Sequence, residues 1–370
     1  MGEAIESKNP TQEKMNLLDE GGYGCVYYPG ISCNGKKEMP KFITKIQKVS
    51  DTFKNEYFIS EKIRKIKGYT KHFAPIIKVC PVKLTKTNVH EIMKCGKLTT
   101  ETKSQIESPK YVSSKIRYVG KRNIGDYINS YMNRTYSVAE VLDTHLYLLK
   151  GIRQLNRMGI IHYDLKYDNI MYDDTLKIPI IIDYGLSIYV PELSPVNYKN
   201  EFFAFVSYSY WCIDIVICSY IFQKIKYEHL KTTKITKDEL DIIYDAFVSS
   251  SYGEQTHTNG LFSFTIFSDS DYEKLRVKCA TYFRAFVGKS WFELYEHLIK
   301  YSNTWDNYSL SMVYLMEIDN LYKIHPKTYD KISALPSFPK YRNLLENILF
   351  SMPNERPTVL DTITQIKKLL

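Results

Sequence analysis

The stretch HYDLKYDNIMY, residues 162–172, gathers three chemically different side chains on a few positions. Asp164 could accept a proton from a hydroxyl group, Lys166 could steady a phosphoryl group in motion, and the amide of Asn169 could hold magnesium. Loops are polar in any protein, however, because charged side chains are solvated there at little cost. The stretch alone leaves two interpretations, a solvated loop and a site for phosphate chemistry.

A further acidic side chain ends a strongly apolar run, IPIIIDYGLSI, at residues 178–188. The run predicts a buried strand with Asp183 at its exit. A carboxylate in that position is held rigidly, and magnesium prefers oxygen ligands of this kind. An aspartate close to a glycine is also an ordinary turn sequence. Asp183 is therefore a candidate metal ligand, with a plain turn as the alternative.

Three glycines lie between two strand-like runs in LLDEGGYGCVYY, residues 17–28, and predict a hairpin. Glycines allow backbone N–H groups to approach phosphate oxygens closely. The candidate nucleotide-binding residues of this hairpin are Gly21, Gly22, Tyr23, Gly24 and Val26. Val26, just beyond the tip, is placed to cover a flat ring. A glycine pair is equally typical of a plain hairpin turn.

Lys45 lies in FITKIQ, residues 42–47, whose alternation turns it to the side of Ile43. A strand lysine among apolar residues either extends its ammonium group to solvent or is buried with an acidic partner. The following helical segment offers Glu56 as the candidate partner. Glu61 points to another part of that helix and is predicted to be solvated. Both interpretations of Lys45 stay open at this point.

Two kinds of periodicity divide the chain. Residues 15–118 carry short strand-like runs and one helical segment, whereas the remainder shows apolar residues three and four positions apart. Residues 1–14 are polar and are predicted to be a flexible N-terminus. We therefore predict an α+β protein with a small β-rich N-lobe at 15–118 and a larger helical C-lobe at 119–370.

Composition narrows the class of partner. Among 370 residues, Lys+Arg number 50 and Asp+Glu 41, which gives a net charge of +9 without long blocks of like charge. No zinc-finger, basic-zipper or RNA-binding motif accompanies this charge, so we expect no nucleic-acid partner. The longest apolar run, IDIVICSYIF at 213–222, is too short to cross a bilayer, so we expect no membrane association.

The cysteines predict the redox compartment. Their number is seven, they are scattered, and none forms a C-x-x-C pair. An odd, scattered set is typical of reduced thiols, which predicts a cytoplasmic protein.

In their order along the chain, these motifs resemble those of the eukaryotic-type protein kinases. The family's H-R-D-L-x-x-x-N corresponds to HYDLKYDN, its D-F-G to DYG, and its glycine loop, strand lysine and helix glutamate to the segments described above. The resemblance covers residues 15–214 and 300–370. It implies a bilobal protein-kinase-like fold, with ATP and Mg2+ as cofactors and a protein substrate.

The resemblance implies a role for each residue that matches a motif. Asp164 would accept the proton of the substrate hydroxyl, and Lys166 would contact the transferring phosphoryl group. Asn169 and Asp183 would hold magnesium. Lys166, two positions after Asp164, also resembles the serine/threonine-directed members of the family.

The remaining matches concern the nucleotide. Lys45, oriented by Glu56, would bind the α and β phosphates of ATP. Ile116 would lie at the back of the adenine pocket, and Tyr118 would belong to the hinge that follows. Asn123 falls near the acidic residue that contacts the ribose in relatives.

The C-terminal part carries weaker matches. PNERPT, at 353–358, resembles the kinase segment whose arginine, here Arg356, pairs with the glutamate of A-P-E. No A-P-E occurs, and Asp214 is predicted to replace that glutamate. Asp306 is predicted to begin the buried central helix and to cap the backbone of the 162–172 loop. This assignment implies a helical insertion at 216–300.

The resemblance favours one function and leaves two alternatives. We predict an ATP-dependent protein kinase acting on Ser/Thr hydroxyls, a monomer in the cytoplasm, similar to kinases of large DNA viruses and to the vaccinia-related group. A catalytically inactive scaffold is the alternative, because Asp19 replaces the first glycine of the loop, Tyr163 replaces an arginine, and A-P-E is missing. A small-molecule kinase is disfavoured by Lys166 and by PNERPT.

Overall fold

The computed structural model describes residues 15–21, 24–36, 40–193, 202, 208–248 and 264–370. The chain forms two compact units. One comprises the residues up to Arg64 together with Ala74–Val119, and the other comprises Lys65–Phe73 and Gly120–Leu370. The predicted flexible segment, 1–14, lies outside the described residues.

An antiparallel sheet forms the first unit. Its strands are β1 (Asn16–Gly21), β2 (Gly24–Tyr28), β3 (Phe42–Lys48), β4 (Ile76–Pro81) and β5 (Tyr111–Arg117). They are ordered β1-β2-β3-β5-β4. The helices of this unit are α1 (Asp51–Arg64), α2 (Val89–Ile92) and α3 (Lys103–Ile106). Helix α1 has Asp51 in its first turn and basic residues in its last, which suits the helix dipole.

The strand pairing assigns the side chains of the sheet to two faces. Cys25 of β2 is paired with Ile46 of β3, and the next pair is Val26 with Lys45. Because successive side chains point to opposite faces, the two pairs lie on different sides of the sheet. Cys25 and Ile46 belong to a buried apolar cluster that α2 and α3 help to close. Lys45 faces the other way.

The prediction of seven reduced thiols is wrong. Cys25 is bonded to Cys95, and Cys33 to Cys80. The paired residues are 70 and 47 positions apart in the chain, so no local spacing marks them in the sequence. The fold brings each pair to Cα separations of 6.1 and 5.5 Å, which lie in the usual disulfide range.

The other three cysteines are free thiols: Cys212, Cys218 and Cys279. All three are buried, and burial raises their pKa. A thiol of this kind is a weak nucleophile, so these side chains act as small apolar core residues.

Helices dominate the second unit. They are α4 (Ile124–Thr135), α5 (Ala139–Arg157), α6 (Ile213–Lys224), α7 (Lys237–Val248), α8 (Asp269–Phe283), α9 (Trp291–Leu298), α10 (Trp305–Ile324), α11 (Pro326–Ser333), α12 (Ser337–Phe350) and α13 (Val359–Ile366). Two small antiparallel pairs accompany them, β6 (Ile160–Ile161) with β9 (Ile188–Tyr189), and β7 (Ile170–Asp173) with β8 (Ile178–Ile181). A β-rich unit and a larger helical unit confirm the predicted α+β class.

Helix α10 forms the centre of this unit. Most of its residues are buried, on every side of the helix, as expected for a helix enclosed by others. It packs against α4, α5, α11 and α12. The predicted central helix is therefore confirmed. The predicted insertion, 216–300, includes most of α6 and all of α7, α8 and α9, while residues 249–263 lie outside the described part of the chain.

A buried carboxyl group on α10 makes the stability of the protein depend on pH. Glu317 is 4% exposed and accepts a hydrogen bond from the Asn129 amide of α4. Burial raises the pKa of Glu317 to about 7. The folded state therefore binds a proton that the unfolded state has released between the unfolded pKa and about pH 7. Stability from this group falls as the pH rises through that window.

Replacing Glu317 by glutamine removes the ionisation while keeping the hydrogen-bonding oxygen. We expect Glu317→Gln to raise the free energy of unfolding at pH 8 by up to about 3 kcal/mol, with little change at pH 4. Urea unfolding at the two pH values measures both effects. Glu273→Gln, on the exposed side of α8, is the control and should behave alike at both. An equal effect of Glu317→Gln at both pH values would contradict the shifted pKa.

Membrane insertion of a helix has no support in the described part of the chain, since every helix there is too short or too polar to span a bilayer.

Candidate active site

The buried form of Lys45 is the one observed. Its Nζ lies 3.0 Å from Oε2 of Glu56, and the two side chains are 11% and 4% exposed. Gln47 donates a further hydrogen bond to the same carboxylate oxygen over 3.3 Å. A buried charge of either sign is costly without its partner, so each member of the pair holds the other in place. Glu61 is exposed, as predicted.

Three predicted nucleotide contacts lie on one face of the sheet. Val26 is paired with Lys45, and Ile43 is paired with Ile116 of β5. Ile43 and Lys45 are two positions apart, so the pleat directs both pairs to the same side. After β5, the Tyr118 backbone N–H donates to Lys41 O over 2.9 Å. Lys45 thus shares a face of the sheet with the apolar residues Val26, Ile43 and Ile116, which suits a ligand with a flat ring and a charged tail.

The two described glycines of the hairpin differ in their surroundings. A Cβ atom on Gly24 would collide with the Ile46 carbonyl oxygen and lie 2.7 Å from Cβ of Gln47, so packing against β3 already requires glycine there. A Cβ on Gly21 would meet nothing closer than 3.9 Å. Gly22 and Tyr23 lie outside the described residues.

Asn123 has a structural role that its sequence position did not indicate. Its side-chain oxygen accepts a hydrogen bond of 2.9 Å from the Asp126 N–H and so caps the N-terminus of α4. Asparagine is among the residues preferred at this position. Its predicted contact with a ribose stays a prediction.

The carboxylate of Asp164 is held by three donors. Asn169 Nδ2 lies 2.9 Å and Lys166 Nζ 3.2 Å from its Oδ2. The hydroxyl of Tyr208 donates to its Oδ1 over 3.0 Å. Burial, and then the negative charge of Asp164, raise the pKa of the Tyr208 phenol above its usual range, so this hydroxyl stays protonated. The carboxylate therefore has a fixed orientation and remains partly exposed.

The residue before Asp164 holds a strained backbone. Tyr163 has φ of 68°, which is rare for an aromatic residue. Its N–H donates to Asp306 Oδ1 over 3.0 Å, and its carbonyl accepts from Trp211 Nε1 over 3.0 Å. Asp306 Oδ2 also accepts from the His162 N–H over 2.8 Å. The predicted capping of this loop by Asp306 is confirmed, and such strain persists only where neighbours fix it.

The two predicted metal ligands, Asn169 and Asp183, lie at the same end of the β7–β8 pair. Ile170 is paired with Ile181, and the Ile182 N–H donates to Asn169 O over 3.0 Å. Asp183 follows directly, with φ of 57°. The Asn169 amide nitrogen donates to Asp164, so its side-chain oxygen is the atom that suits a metal. Amide and carboxylate oxygens form the kind of donor set that magnesium takes.

Hydrogen bonds join the HYDLKYDN segment to the DYG segment. His162 Nε2 lies 2.9 Å from the Ile182 carbonyl oxygen, which can only accept, so this nitrogen carries the proton. The Tyr184 hydroxyl donates to Ile181 O over 2.7 Å. These bonds hold the backbone before Asp183 and the side chain of Tyr184, which follows it.

The predicted partner of Arg356 is also confirmed. Its guanidinium lies 2.6 Å from Asp214 Oδ2, and the side chains are 1% and 0% exposed. Thr304 Oγ1 accepts from the same guanidinium over 3.0 Å, and Trp305 Nε1 donates to Asp214 Oδ1 over 3.2 Å. An aspartate thus occupies the position where the family has the glutamate of A-P-E.

The sequence pattern of the family described as "Protein tyrosine and serine/threonine kinase" matches residues 13–205. That span exceeds half of the chain. The chain belongs to the protein kinase family. Comparison with curated protein sequences gives no match.

Membership of the protein kinase family accounts for the two units of the chain. The kinase domain combines an antiparallel β-sheet N-lobe with a larger helical C-lobe, and both are present. The match ends before α6, so the contacts of Asp214, Asp306 and Arg356 lie outside the matched residues and extend the correspondence beyond them. Protein kinases act on protein substrates, and the family pattern covers tyrosine-directed and serine/threonine-directed members alike.

Sequence reasoning missed Tyr208 as a member of the site. It lies 44 residues from Asp164, in a run of aromatic residues that carries no motif. Its ring packs against those of Tyr210 and Trp211, at 5.2 Å between centroids in each case. Its position shortly before Asp214, the predicted replacement for the A-P-E glutamate, was the available signal, but nothing in the sequence indicates that its hydroxyl reaches a carboxylate.

Proposed function

We propose that the chain is an ATP- and Mg2+-dependent protein kinase that phosphorylates Ser/Thr hydroxyls. The observation that carries this proposal is the state of Asp164. Its carboxylate is oriented by Asn169, Lys166 and Tyr208, and the backbone before it is fixed by Asp306. A general base must be ionised, aimed and accessible, and this one meets the geometric requirement.

The residues of the site divide the work of phosphoryl transfer. Asp164 would accept the proton of the attacking hydroxyl, and Lys166, 3.2 Å from it, would meet the negative charge of the phosphoryl group. Lys45 would bind phosphate oxygens with its ammonium group while Glu56 fixes its position. Positioning and electrostatics supply most of the catalysis in this chemistry, so preorganised contacts are its main requirement.

The nucleotide side of the proposal rests on residues that fit it. Val26 and Ile116 offer apolar contacts on the face of the sheet that carries Lys45. The hinge contact of Tyr118, the ribose contact of Asn123 and the phosphate contacts of Gly21, Gly22, Tyr23 and Gly24 belong to the same proposal. Asn169 and Asp183 would supply oxygen ligands to magnesium, which when bound neutralises charge on the β and γ phosphates.

A scaffold without transfer activity is the second candidate. Asp19, exposed on β1, adds negative charge next to the glycine hairpin, and Tyr163 replaces an arginine. The third argument for a scaffold was the missing glutamate of A-P-E, and it loses its weight because Asp214 takes up the contact with Arg356. The residues needed for transfer are all present, so we place the active kinase first.

Acceptor chemistry tests the proposed specificity. Purified chain is incubated with Mg2+, γ-labelled ATP and casein, and the labelled product is hydrolysed to phosphoamino acids. We expect phosphoserine and phosphothreonine, because Lys166 matches the serine/threonine-directed pattern. Phosphotyrosine as the main product would overturn the specificity while leaving the kinase activity in place. Label on added sugars or choline, and none on protein, would favour a small-molecule kinase.

The remaining predictions concern the relatives of the protein, its oligomeric state and its location. The likeness to viral kinases, the monomeric state and the cytoplasmic location stay predictions. The location was inferred from reduced thiols, and it loses that support because four of the seven cysteines form disulfides.

A further inference from the structure

The segment between β4 and β5 covers the sheet face opposite Lys45. It runs over residues 82–110, called the 82–110 segment below, and contains α2 and α3. Its buried apolar side chains join those of the sheet in one cluster, and they are Val82, Ile92, Cys95, Leu98 and Ile106. Against them lie Cys25 and Tyr27 of β2 and Ile46 of β3. The segment is therefore part of the folded unit and not a loose connection.

Polar contacts join this segment to β1 at the end nearest the glycine hairpin. Both carboxylate oxygens of Glu20 lie 3.2 Å from the Gly96 backbone N–H, which donates to them. The Lys97 ammonium group donates to the Gly21 carbonyl oxygen. Glu20 and Gly21 are the last residues of β1, so neighbouring residues of the 82–110 segment hold that strand by its end.

A disulfide links the 82–110 segment covalently to β2. Cys25, which follows Gly24, is bonded to Cys95, directly before Gly96. Two residues further along β2, the Tyr27 hydroxyl donates to Ile92 O over 2.8 Å. The strands on both sides of residues 22–23 are thus held by one short stretch of chain, from Ile92 to Lys97.

We propose that the 82–110 segment is a positioning clamp for the β1–β2 pair, with Cys25–Cys95 as its covalent link and Glu20 and Lys97 as its polar contacts. The inference rests on the proposed function, because a nucleotide's phosphates would be met by the backbone of this pair. Holding the strands in place before the ligand arrives reduces the ordering cost of binding. The clamp therefore acts on nucleotide affinity and not on the chemical step.

The second disulfide provides a matched control. Cys33–Cys80 joins the loop after β2 to β4 in the same unit. Both cross-links close loops of comparable length, 70 and 47 residues, so their general effects on stability should be similar. Only Cys25–Cys95 is adjacent to a glycine of the hairpin.

The test compares two double variants of the full chain, Cys25→Ala with Cys95→Ala, and Cys33→Ala with Cys80→Ala. For the first we expect the KM for ATP to rise about tenfold with kcat nearly unchanged. The second should keep KM within about twofold of the unaltered protein. Equal increases in both variants, or a fall in kcat alone, would overturn the clamp.

A third variant, with its substitution outside the disulfides, tests the clamp even if the cysteine variants fail to fold. Lys97→Ala removes one exposed contact, and we expect the KM for ATP to rise about fivefold. Amide hydrogen exchange gives a readout that needs no catalysis, and exchange in β1 and β2 should accelerate in Lys97→Ala and in the Cys25/Cys95 variant but not in the Cys33/Cys80 variant. Unchanged exchange would overturn the clamp even if the protein proves inactive. Accelerated exchange without phosphate transfer by the unaltered protein would support the clamp and contradict the proposed function.

Discussion

Replacing Asp164 by asparagine is expected to lower kcat for phosphoryl transfer by about 10²- to 10⁴-fold, the usual contribution of a general base. The amide has nearly the same shape as the carboxylate, so contacts with Tyr208 and Asn169 leave the loop in place. It cannot accept the proton of the attacking hydroxyl. Nucleotide affinity should change little, because no phosphate contact is assigned to Asp164.

The measurement is the rate of γ-phosphate transfer at saturating ATP, alongside nucleotide binding by calorimetry. Asp168→Asn is the matched control, since it makes the same chemical change on an exposed residue of the same loop. We expect the control to stay within about threefold of the unaltered protein. Comparable rates for Asp164→Asn and Asp168→Asn would show that Asp164 is not the base.

Replacing Arg356 by methionine is expected to lower the free energy of unfolding by about 3–5 kcal/mol. Methionine fills much of the same volume but leaves the Asp214 carboxylate buried without its counter-ion. The cost comes from that uncompensated charge and not from the net value of the ion pair. Adding Asp214→Asn to Arg356→Met should therefore restore part of the lost stability, because the buried group is then neutral.

Urea unfolding of the single and double variants measures these changes. Arg276→Met supplies the control, because Arg276 forms an exposed pair with Asp245 at 2.9 Å, where the side chains are 36% and 56% exposed. Exposed pairs contribute about 0–1 kcal/mol, so the control should lose no more than that. A loss from Arg356→Met as small as the control's would contradict the structural role of the Asp214 contact.

The contacts that could be predicted from the sequence are those that follow from the periodicity of the side chains and from the order of the motifs along the chain. Side chains alternate along β3, which turns Lys45 to the same face as Ile43. The helix that follows carries Glu56, 11 residues after Lys45, so Glu56 could be predicted as the partner of Lys45. It could not be told from sequence that Lys45 is buried, because burial depends on the strands on either side. The register of Val26 with Lys45 and of Ile43 with Ile116 decides it.

The long-range contacts divide into two kinds. Asp306 and Arg356 were placed through the family resemblance, since nothing local in the chain links them to residues 144 and 142 positions away. The Cys25–Cys95 disulfide and the contact of Tyr208 with Asp164 correspond to none of the kinase motifs. Neither the periodicity of the sequence nor its resemblance to the family could therefore predict them. The scattered cysteines even indicated the wrong redox state, because pairing across a sheet and its covering segment leaves no spacing pattern.

The central claim is that this protein kinase domain transfers phosphate and does not only bind nucleotide. The most direct measurement is incorporation of label from γ-labelled ATP with Mg2+ by purified chain, in a preparation shown to bind ATP. We predict label on casein or on the chain itself, lost in Asp164→Asn while ATP binding persists. Saturable ATP binding with no more label than Asp164→Asn would contradict the account and identify the protein as a scaffold.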